Sequence, residues 1–265
     1  MDTKSEAFVP FSKLFNFKLN SLVNFVGGGG KTILIHQLMD EYVHQGHVLY
    51  TTTMRIHPPQ PDGKMAVLSS DNLTVLKSLV VQALGGCTNR NFKIVATRQF
   101  MEPDLLNGVP PDFLSNVDRA LCTIFLNEAD GSARFSLKLP RQREPVLMEE
   151  AQYLVPVIGL DCLDRASGPD TIFRFDALSS EFSIQTGQTI TPELAADILM
   201  HPKGVCRDWK EGMTIVPFIN KVDTQEQDSK AKLLASHILR NRVFPVSRVV
   251  LGSVRFMRSF YVSQG

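Results

Sequence analysis

The chain lacks the residue patterns of several common classes of protein. Its 265 residues include only four cysteines, Cys87, Cys122, Cys162 and Cys206, and no C-x-x-C pair. This spacing argues against a zinc knuckle or a thioredoxin-type site and is typical of reduced, mostly buried thiols in a cytosolic protein. Charge is balanced, because 28 basic and 27 acidic residues leave a net charge of +1. We therefore expect no nucleic-acid partner.

Long apolar runs are also missing. No stretch approaches the roughly 18 consecutive apolar residues of a membrane span. The N-terminus carries an acid at its second position and no apolar core, so it does not resemble a signal peptide. We expect a cytoplasmic protein without a membrane partner.

What the chain does have is an alternation of strand and helix patterns. The apolar segment 21–26, a helical pattern over 31–46 and a strand pattern over 47–53 predict a βαβ unit. Further helices are predicted over 71–86, 110–117, 191–200 and 224–242, and further strands over 92–97, 121–131, 153–161, 213–223 and, as the closing strand, 247–254. The alternation predicts an α/β fold with a three-layer, doubly wound, mostly parallel sheet. We expect one domain over residues 1–265, with an inserted or irregular segment at 132–190.

The glycine run in "NFVGGGGKTILIHQL" lies between the first strand and the first helix of this unit. A dinucleotide fingerprint would need glycine where Thr32 stands, so that interpretation fails. A phosphate cradle fits better: Gly27, Gly28, Gly29 and Gly30 let backbone N–H groups turn inward, Lys31 reaches the terminal phosphates and Thr32 offers a hydroxyl to Mg²⁺. The loop is two residues shorter than G-x-x-x-x-G-K-[ST] and resembles that of Mur-type peptide ligases. A flexible glycine corner is the alternative.

A second motif, "NKVD", follows an apolar strand near the end of the chain. At such a strand end Asp223 would accept two hydrogen bonds from guanine, Asn220 would hold the base and the loop, and the stem of Lys221 would pack along the ring. The alternative is structural, because Asp223 and Glu226 also form an Asp-x-x-Glu capping box for the next helix. Since the short glycine loop resembles that of ATP-using enzymes, GTP and ATP both stay open.

The third motif is "NEADGS", residues 127–132, at the end of another strand. Acids beside a P-loop usually hold Mg²⁺, directly or through water, which suits Asp130. Glu128 would orient an attacking water or a substrate hydroxyl. An ordinary Asp-Gly turn is the alternative.

Other polar residues are weaker candidates for substrate binding. Thr51, Thr52 and Thr53 end the second strand and would meet phosphate or metal, and Arg55 would meet a substrate anion. β-propensity and a surface arginine explain the same residues. Lys138, Arg141, Arg143 and Glu144 form a charged loop that suits an anionic second substrate, although a solvated loop has the same composition.

These motifs, in this order, resemble the YqeC-like family, which is associated with selenium-dependent molybdenum hydroxylases. The resemblance runs from about Ser21 to the last strand and rests on "FVGGGGKT", "TTTMRI" with "PP" after it, "EADGSARFSLKLPRQREPV", "VIGLDCL", "TPELAADIL", "HPKGV" and "INKVD". Three positions depart from the family pattern: Ile33 stands for Thr or Ser, Arg55 for Lys, and Phe173-Arg174 for a His-Arg pair. The resemblance implies a P-loop fold and a role in maturing a selenium- or molybdenum-containing cofactor.

The motifs and the resemblance together predict a Mg²⁺-dependent nucleoside triphosphatase or phosphotransferase that uses GTP or ATP. Lys31, Glu128 and Asp130 would be its catalytic residues, with Lys31 at a solvent-facing junction and Thr32 and Asp130 on the metal. The expected partners are the nucleotide, an anionic small molecule and the hydroxylase. The alternative is a nucleotide-gated chaperone or docking module with little intrinsic catalysis. A degenerate loop without nucleotide is a third hypothesis, against which the intact Lys31-Thr32 pair argues.

Overall fold

The computed structural model describes residues 8–59, 65–86, 91–99 and 105–263. Within them lie ten strands: β1 (Ser21–Gly27), β2 (Val48–Thr52), β3 (Met65–Ser69), β4 (Lys93–Thr97), β5 (Ile124–Glu128), β6 (Tyr153–Gly159), β7 (Thr214–Ile215), β8 (Phe218–Asn220), β9 (Arg248–Ser253) and β10 (Arg258–Ser263). The α-helices are α1 (Phe11–Phe15), α2 (Lys31–Tyr42), α3 (Leu73–Gly85), α4 (Phe175–Phe182), α5 (Pro192–Leu199) and α6 (Asp228–Arg240).

All the strands join one sheet in the order β10-β9-β8-β6-β1-β5-β2-β4-β3, with β7 beside β6. The ladders are parallel except that between β9 and β10. Strand β1 lies between β5 and β6, and all seven of its residues are buried, as expected for a central strand covered on both faces.

Helices cover both faces of this sheet. On one face, Val23 and Phe25 of β1 share an apolar cluster with residues of α1 and α2. On the other face, Leu22 of β1 clusters with residues of α3, and Val26 clusters with residues of α4, α5 and α6. The three-layer, mostly parallel α/β architecture predicted from the sequence is confirmed, in an arrangement consistent with the P-loop type.

Two of the predicted elements are wrong. Residues 110–117 form successive turns with i→i+3 hydrogen bonds instead of a helix. Pro110 and Pro111 lack N–H groups, and Asn116 takes a left-handed φ of 65°, so the segment does not continue as a helix. The strand predicted over 213–223 is two short strands, β7 and β8, because Pro217 between them cannot donate to the ladder.

The structure also contains elements that were not predicted. Strand β9 is not the closing strand, because a turn after it leads into the antiparallel β10. Strand β3 and the short helix α1 were missed as well, and α4 lies within the segment expected to be irregular. No helix of the described residues is long and apolar enough to cross a membrane.

Candidate functional site

The parallel topology brings the carboxyl ends of adjacent strands to one edge of the sheet. Strands β8, β6, β1 and β5 are neighbours there and end at Asn220, Gly159, Gly27 and Glu128. In open α/β sheets, ligands bind at this edge, where the strand order switches direction. The glycine loop and the acidic and NKVD motifs, far apart in sequence, thus meet at one place.

The glycine loop is tightly enclosed by neighbouring backbone. A Cβ atom on Gly28 would lie 2.4 Å from the carbonyl oxygen of Phe135, and one on Gly29 would lie 2.2 Å from the nitrogen of Gly159. Gly29 and Gly30 also have φ values of 80° and 115°, which other residues rarely adopt. The loop is therefore a packed turn into α2, which differs from the flexible corner considered as an alternative.

Part of the loop already makes hydrogen bonds within the protein. The N–H of Gly28 donates to the carbonyl of Val157, and that of Gly29 donates to the carbonyl of Phe135, at 2.9 Å each. In the described part of the chain, the N–H groups of Gly30, Lys31 and Thr32 have no acceptor. These three groups open the helix, and N–H groups in this position are suited to an anion.

Lys31 does not face solvent as expected, because only 3% of it is exposed. Its Nζ donates to the carbonyl of Gly27 at 2.5 Å and lies 3.2 Å from Asp130 and 3.7 Å from Glu128. Lys31 is not solvent-facing because the end of β5 and the segment after it place the carboxylates of Glu128 and Asp130 next to its ammonium. The ammonium is folded back onto the loop and held there by charge.

Asp130 is fully buried and surrounded by donors. Both carboxylate oxygens accept the N–H of Gly27, at 3.0 and 2.9 Å. Nζ of Lys31 lies 3.2 Å from one oxygen and Nζ of Lys138 lies 2.9 Å from the other. These contacts make Asp130 the anchor of the loop and of both lysines.

Glu128 has a different environment, at the mouth of the site. Its carboxylate accepts hydrogen bonds from the Thr32 hydroxyl, at 2.9 and 3.2 Å, and from the Tyr50 hydroxyl at 3.0 Å. Burial, and secondly the charge of Glu128, raise the pKa of Tyr50 well above its ordinary value, so that Tyr50 remains a donor. Thr32 and Glu128 together present hard oxygen atoms beside the open helix N-terminus.

A buried ionic chain continues from Asp130 through Lys138 to Glu144 and Arg174. Lys138 lies 3.4 Å from Glu144, which accepts a bidentate pair of hydrogen bonds from Arg174 at 2.7 and 3.0 Å. The chain, with Lys31 and Glu128 at its other end, holds three charges of each sign. A solvated loop is therefore the wrong interpretation of Lys138 and Glu144.

Burial acts in opposite directions on the pKa values of Lys138 and Glu144. Desolvation lowers the pKa of Lys138, although the charge of Asp130 opposes it. Burial acts to raise the pKa of Glu144, but the hydrogen bond from Arg174 and the charge of Lys138 outweigh it and bring the pKa to about 2. Arg141 and Arg143, by contrast, are exposed, which agrees with the interpretation of this segment as a solvated loop.

The NKVD residues connect the loop to the last strands. Asn220 donates to the carbonyl of Gly29 at 2.8 Å and accepts the N–H of Val254 at 3.3 Å. Asp223 accepts the Ser253 hydroxyl at 2.7 Å. Lys221 donates to Ser136 and to Asp161, at 2.8 Å each, and its φ is 63°. The structure thus brings Asn220 to the loop and gives Asp223 a partner on β9.

The capping-box interpretation of Asp223 and Glu226 is wrong by one residue. The box is formed by Thr224 and Gln227, whose side chain accepts the N–H groups of Asp223 and Thr224 at 2.7 and 3.1 Å. The Thr224 hydroxyl accepts the N–H of the third residue, which completes the box one position later than predicted. The carboxylate of Asp223 accepts a hydrogen bond from Ser253 and does not cap the helix.

The threonines that end β2 face backbone groups. Their hydroxyls donate to the carbonyls of Ala96, Glu128 and Val146, at 2.8, 2.9 and 2.5 Å for Thr51, Thr52 and Thr53 respectively. They therefore fix the end of β2 and the segment that contains Val146. The next candidate, Arg55, is exposed at the wall of a cleft.

This cleft has a volume of about 380 Å³ and opens beside Thr32 and Glu128. It is lined by Thr32, His36, Tyr50, Arg55, Ile56, His57, Pro58, Pro59, Glu128, Ser132, Ala133 and Arg134. The volume falls at the lower end of the usual range for small-molecule sites. We refer to it below as the Thr32 cleft.

Several residues of the site were not identified from the sequence. Tyr50 and Ser253 belong to strands, where an aromatic or a serine is ordinary. Arg174 was noted only as a departure from a family pattern, and its partner Glu144 lies in a distant segment. The left-handed φ of 65° at Arg174 has no sequence signal either.

Comparison with known proteins gives one family. A model of the YqeC protein family matches residues 23–176, a range that contains the glycine loop, the acids and the whole ionic chain. The chain is similar to the protein named "Uncharacterized protein YqeC" of Escherichia coli (strain K12), with 23% identity over 205 residues, 77% of each chain. No solved structure matches this chain.

Proposed function

This chain belongs to the YqeC family, and we propose that it binds a nucleoside triphosphate with Mg²⁺ at the glycine loop and acts as an NTPase or phosphotransferase. The resemblance noted from the motifs adds the proposed setting, which is maturation of the cofactor of a selenium- or molybdenum-containing hydroxylase. The contacts of this chain's own residues support the nucleotide part of the proposal.

The observation that carries the proposal is the pairing of Thr32 with Glu128 beside three open N–H groups. The N-terminal N–H groups and the dipole of α2 favour the charge of phosphates. Lys31, 2.5 Å from the Gly27 carbonyl, lies in the same turn and offers a cation to the same anion. A donor set of this kind supports binding of a polyphosphate rather than of a neutral ligand.

The residues also fit a magnesium ion. Thr32 and Glu128 offer a hydroxyl and a carboxylate, the hard oxygen donors that Mg²⁺ takes alongside phosphate oxygens. Bound there, Mg²⁺ would neutralise phosphate charge. We assign this role to Glu128 in place of Asp130, because Asp130 is enclosed by Gly27 and the two lysines. Asp130 would instead hold the loop and Lys31 in position.

For the base we favour guanine. The Ser253 hydroxyl donates to one oxygen of Asp223, which fixes the orientation of the carboxylate. A fixed carboxylate complements the two adjacent donors of guanine, whereas adenine offers none at the first of those positions and no amine at the second. Asn220, three residues before Asp223, donates to the carbonyl of Gly29 and so connects this segment to the glycine loop.

The test is a calorimetric titration of the full chain with GTP and with ATP, each with and without Mg²⁺. The proposal expects saturable binding that Mg²⁺ strengthens and that is tighter for GTP. Tighter binding of ATP would overturn the guanine assignment alone. If neither nucleotide binds, the proposed function is wrong.

The alternative of a nucleotide-gated chaperone has one observation in its favour. Gly28 and Gly29 give their N–H groups to protein carbonyls, and Lys31 is folded onto Gly27, so the loop is closed on itself. A closed loop favours slow turnover that a partner accelerates by opening it. Single-turnover hydrolysis with and without the apo-hydrolase separates the two functions: acceleration by the partner favours the chaperone, and a phosphorylated small molecule favours the transferase.

A further inference from the structure

We propose that the Thr32 cleft is the binding site of a second substrate, and that this substrate is a small organic anion with a phosphate-type group. The inference rests on the proposed function, because it takes Thr32 and Glu128 as the place where the nucleotide's terminal phosphate would lie. It adds the position and the chemistry of the other reactant.

The charge of the cleft is the first argument. Arg55, Arg134, His36 and His57 line it, and among the described residues Glu128 is the one acid in its wall. Glu128 is bonded to Thr32 and Tyr50, at the end of the cleft next to the helix. Guanidinium groups bind phosphate and carboxylate oxygens in pairs, so two arginines in one small cleft select an anion.

Arg134 provides the second argument. Its guanidinium is exposed and has neither a hydrogen bond nor an ion pair with any residue that the structure describes, whereas the next residues, Phe135 and Ser136, are held by hydrogen bonds. Ala133 and Arg134 also have consecutive left-handed φ values of 47° and 70°. Non-glycine residues pay an energetic cost in this region, and such strain occurs preferentially at ligand sites.

The apolar residues that line the cleft, together with its volume, indicate what the rest of the ligand is like. Ile56, Pro58 and Pro59 give the cleft an apolar wall, so an organic body with an acidic group fits better than a bare inorganic ion. The volume of about 380 Å³ restricts that body to a small molecule.

The experiment uses phenyl phosphate, benzoate and uncharged benzyl alcohol as probes of the full chain saturated with Mg²⁺ and a non-hydrolysable GTP analogue. We expect phenyl phosphate to bind without displacing the nucleotide, benzoate to bind more weakly, and benzyl alcohol not to bind. Arg134→Ala should weaken the binding of phenyl phosphate at least tenfold, because a charged hydrogen-bonding partner is lost. Arg143→Ala removes an exposed arginine that does not line the cleft and should have no effect.

Three outcomes would overturn the inference. They are displacement of the nucleotide by phenyl phosphate, equal binding to the parent and to Arg134→Ala, and no binding of any probe to the nucleotide-saturated chain. If the nucleotide itself fails to bind, the proposed function fails, and the same titration without nucleotide decides the anion site separately. Binding that depends on Arg134 would then uphold the anion site, and binding independent of Arg134 would refute it.

Discussion

Beneath the glycine loop, Asp130 is fully buried and bonded to two lysines, whereas beyond the loop Asp223 is partly exposed and bonded to a serine hydroxyl. Both are aspartates near the ends of parallel strands, and it is their contacts in the structure that show how differently they are enclosed. Because their surroundings differ, we expect the two aspartates to have different roles. Charges enclosed in the core stabilise the fold strongly when paired and destabilise it when one partner is removed. A partly exposed carboxylate contributes little to stability and is available for recognition.

The strongest test of this contrast is Asp130→Asn, compared with Asp223→Asn. Replacing Asp130 leaves Lys31 and Lys138 without their shared counter-ion inside the core. We expect the free energy of unfolding to fall by about 3–5 kcal/mol, as for other broken buried pairs. Asp223→Asn should change it by less than about 1 kcal/mol. Urea unfolding followed by circular dichroism measures both, and equal losses would remove the distinction between the two acids.

The second test separates the two lysines that share Asp130. Lys31→Met and Lys138→Met each remove one partner of a buried carboxylate and keep the aliphatic stem. We expect each to lower the free energy of unfolding by about 1.5–3 kcal/mol, the range for a charged hydrogen bond. Only Lys31 belongs to the loop, so only Lys31→Met should weaken nucleotide binding, by at least tenfold. Calorimetric titration with GTP and Mg²⁺ checks this, and a comparable loss in Lys138→Met would show that both lysines act through structure alone.

The third test exchanges the base preference. An amide at position 223 can donate where the carboxylate only accepts, so guanine's two donors lose their complement. Asp223→Asn should weaken GTP binding about tenfold to a hundredfold, which corresponds to the loss of a charged hydrogen bond, and should strengthen XTP binding. Competition among GTP, ATP and XTP on both proteins measures the preference. Tighter ATP binding in the parent, unchanged in the variant, would contradict the guanine assignment.

The sequence predicted those parts of the fold that depend on local pattern. The glycine turn, the buried strands around it and the α/β class follow from periodicity and turn chemistry, which a short window contains. Breaks caused by proline, as at Pro217, were missed because the apolar run on either side resembles one strand. Strand β10 has a mixed pattern of burial and follows a tight turn, so no apolar period marked it.

The candidate site was predictable in position but not in the roles of its residues. That Glu128 and Asp130 lie beside the loop follows from their place after a strand. Which of them is enclosed depends on Lys138, and the partner of Lys138 depends in turn on Arg174. The contact between Glu144 and Arg174 spans 30 residues, so no short window of the sequence contains both partners.

The fourth test uses pH to probe the far end of the ionic chain. Hydrogen bonds from Arg174 and Lys138 hold the pKa of Glu144 at about 2, below the ordinary value of 4.5, although burial opposes them. Since the folded pKa is lowered, Glu144 contributes stability that is present above about pH 4.5 and is lost as the pH falls toward 2. Glu144→Gln should be less stable than the parent by about 1–2 kcal/mol at neutral pH, after allowance for screening, and the difference should vanish near pH 2. Chemical unfolding across this range measures it; a difference independent of pH would mean that the charge of Glu144 is not involved.

The smallest expected effects come from two hydroxyls near Asp223, and they separate capping from recognition. Ser253 donates to the carboxylate of Asp223, whereas Thr224 belongs to the capping box of the following helix. Ser253→Ala should weaken GTP binding about threefold to tenfold, the range for one hydrogen bond that orients a ligand-binding group, with little change in stability. Thr224→Ala should lower the free energy of unfolding by about 1 kcal/mol and leave the choice between GTP and ATP unchanged. Nucleotide competition and urea unfolding on both variants give the full comparison. If Ser253→Ala loses stability and not GTP preference, then Asp223 serves to join β9 to the loop before α6, and the guanine assignment is wrong.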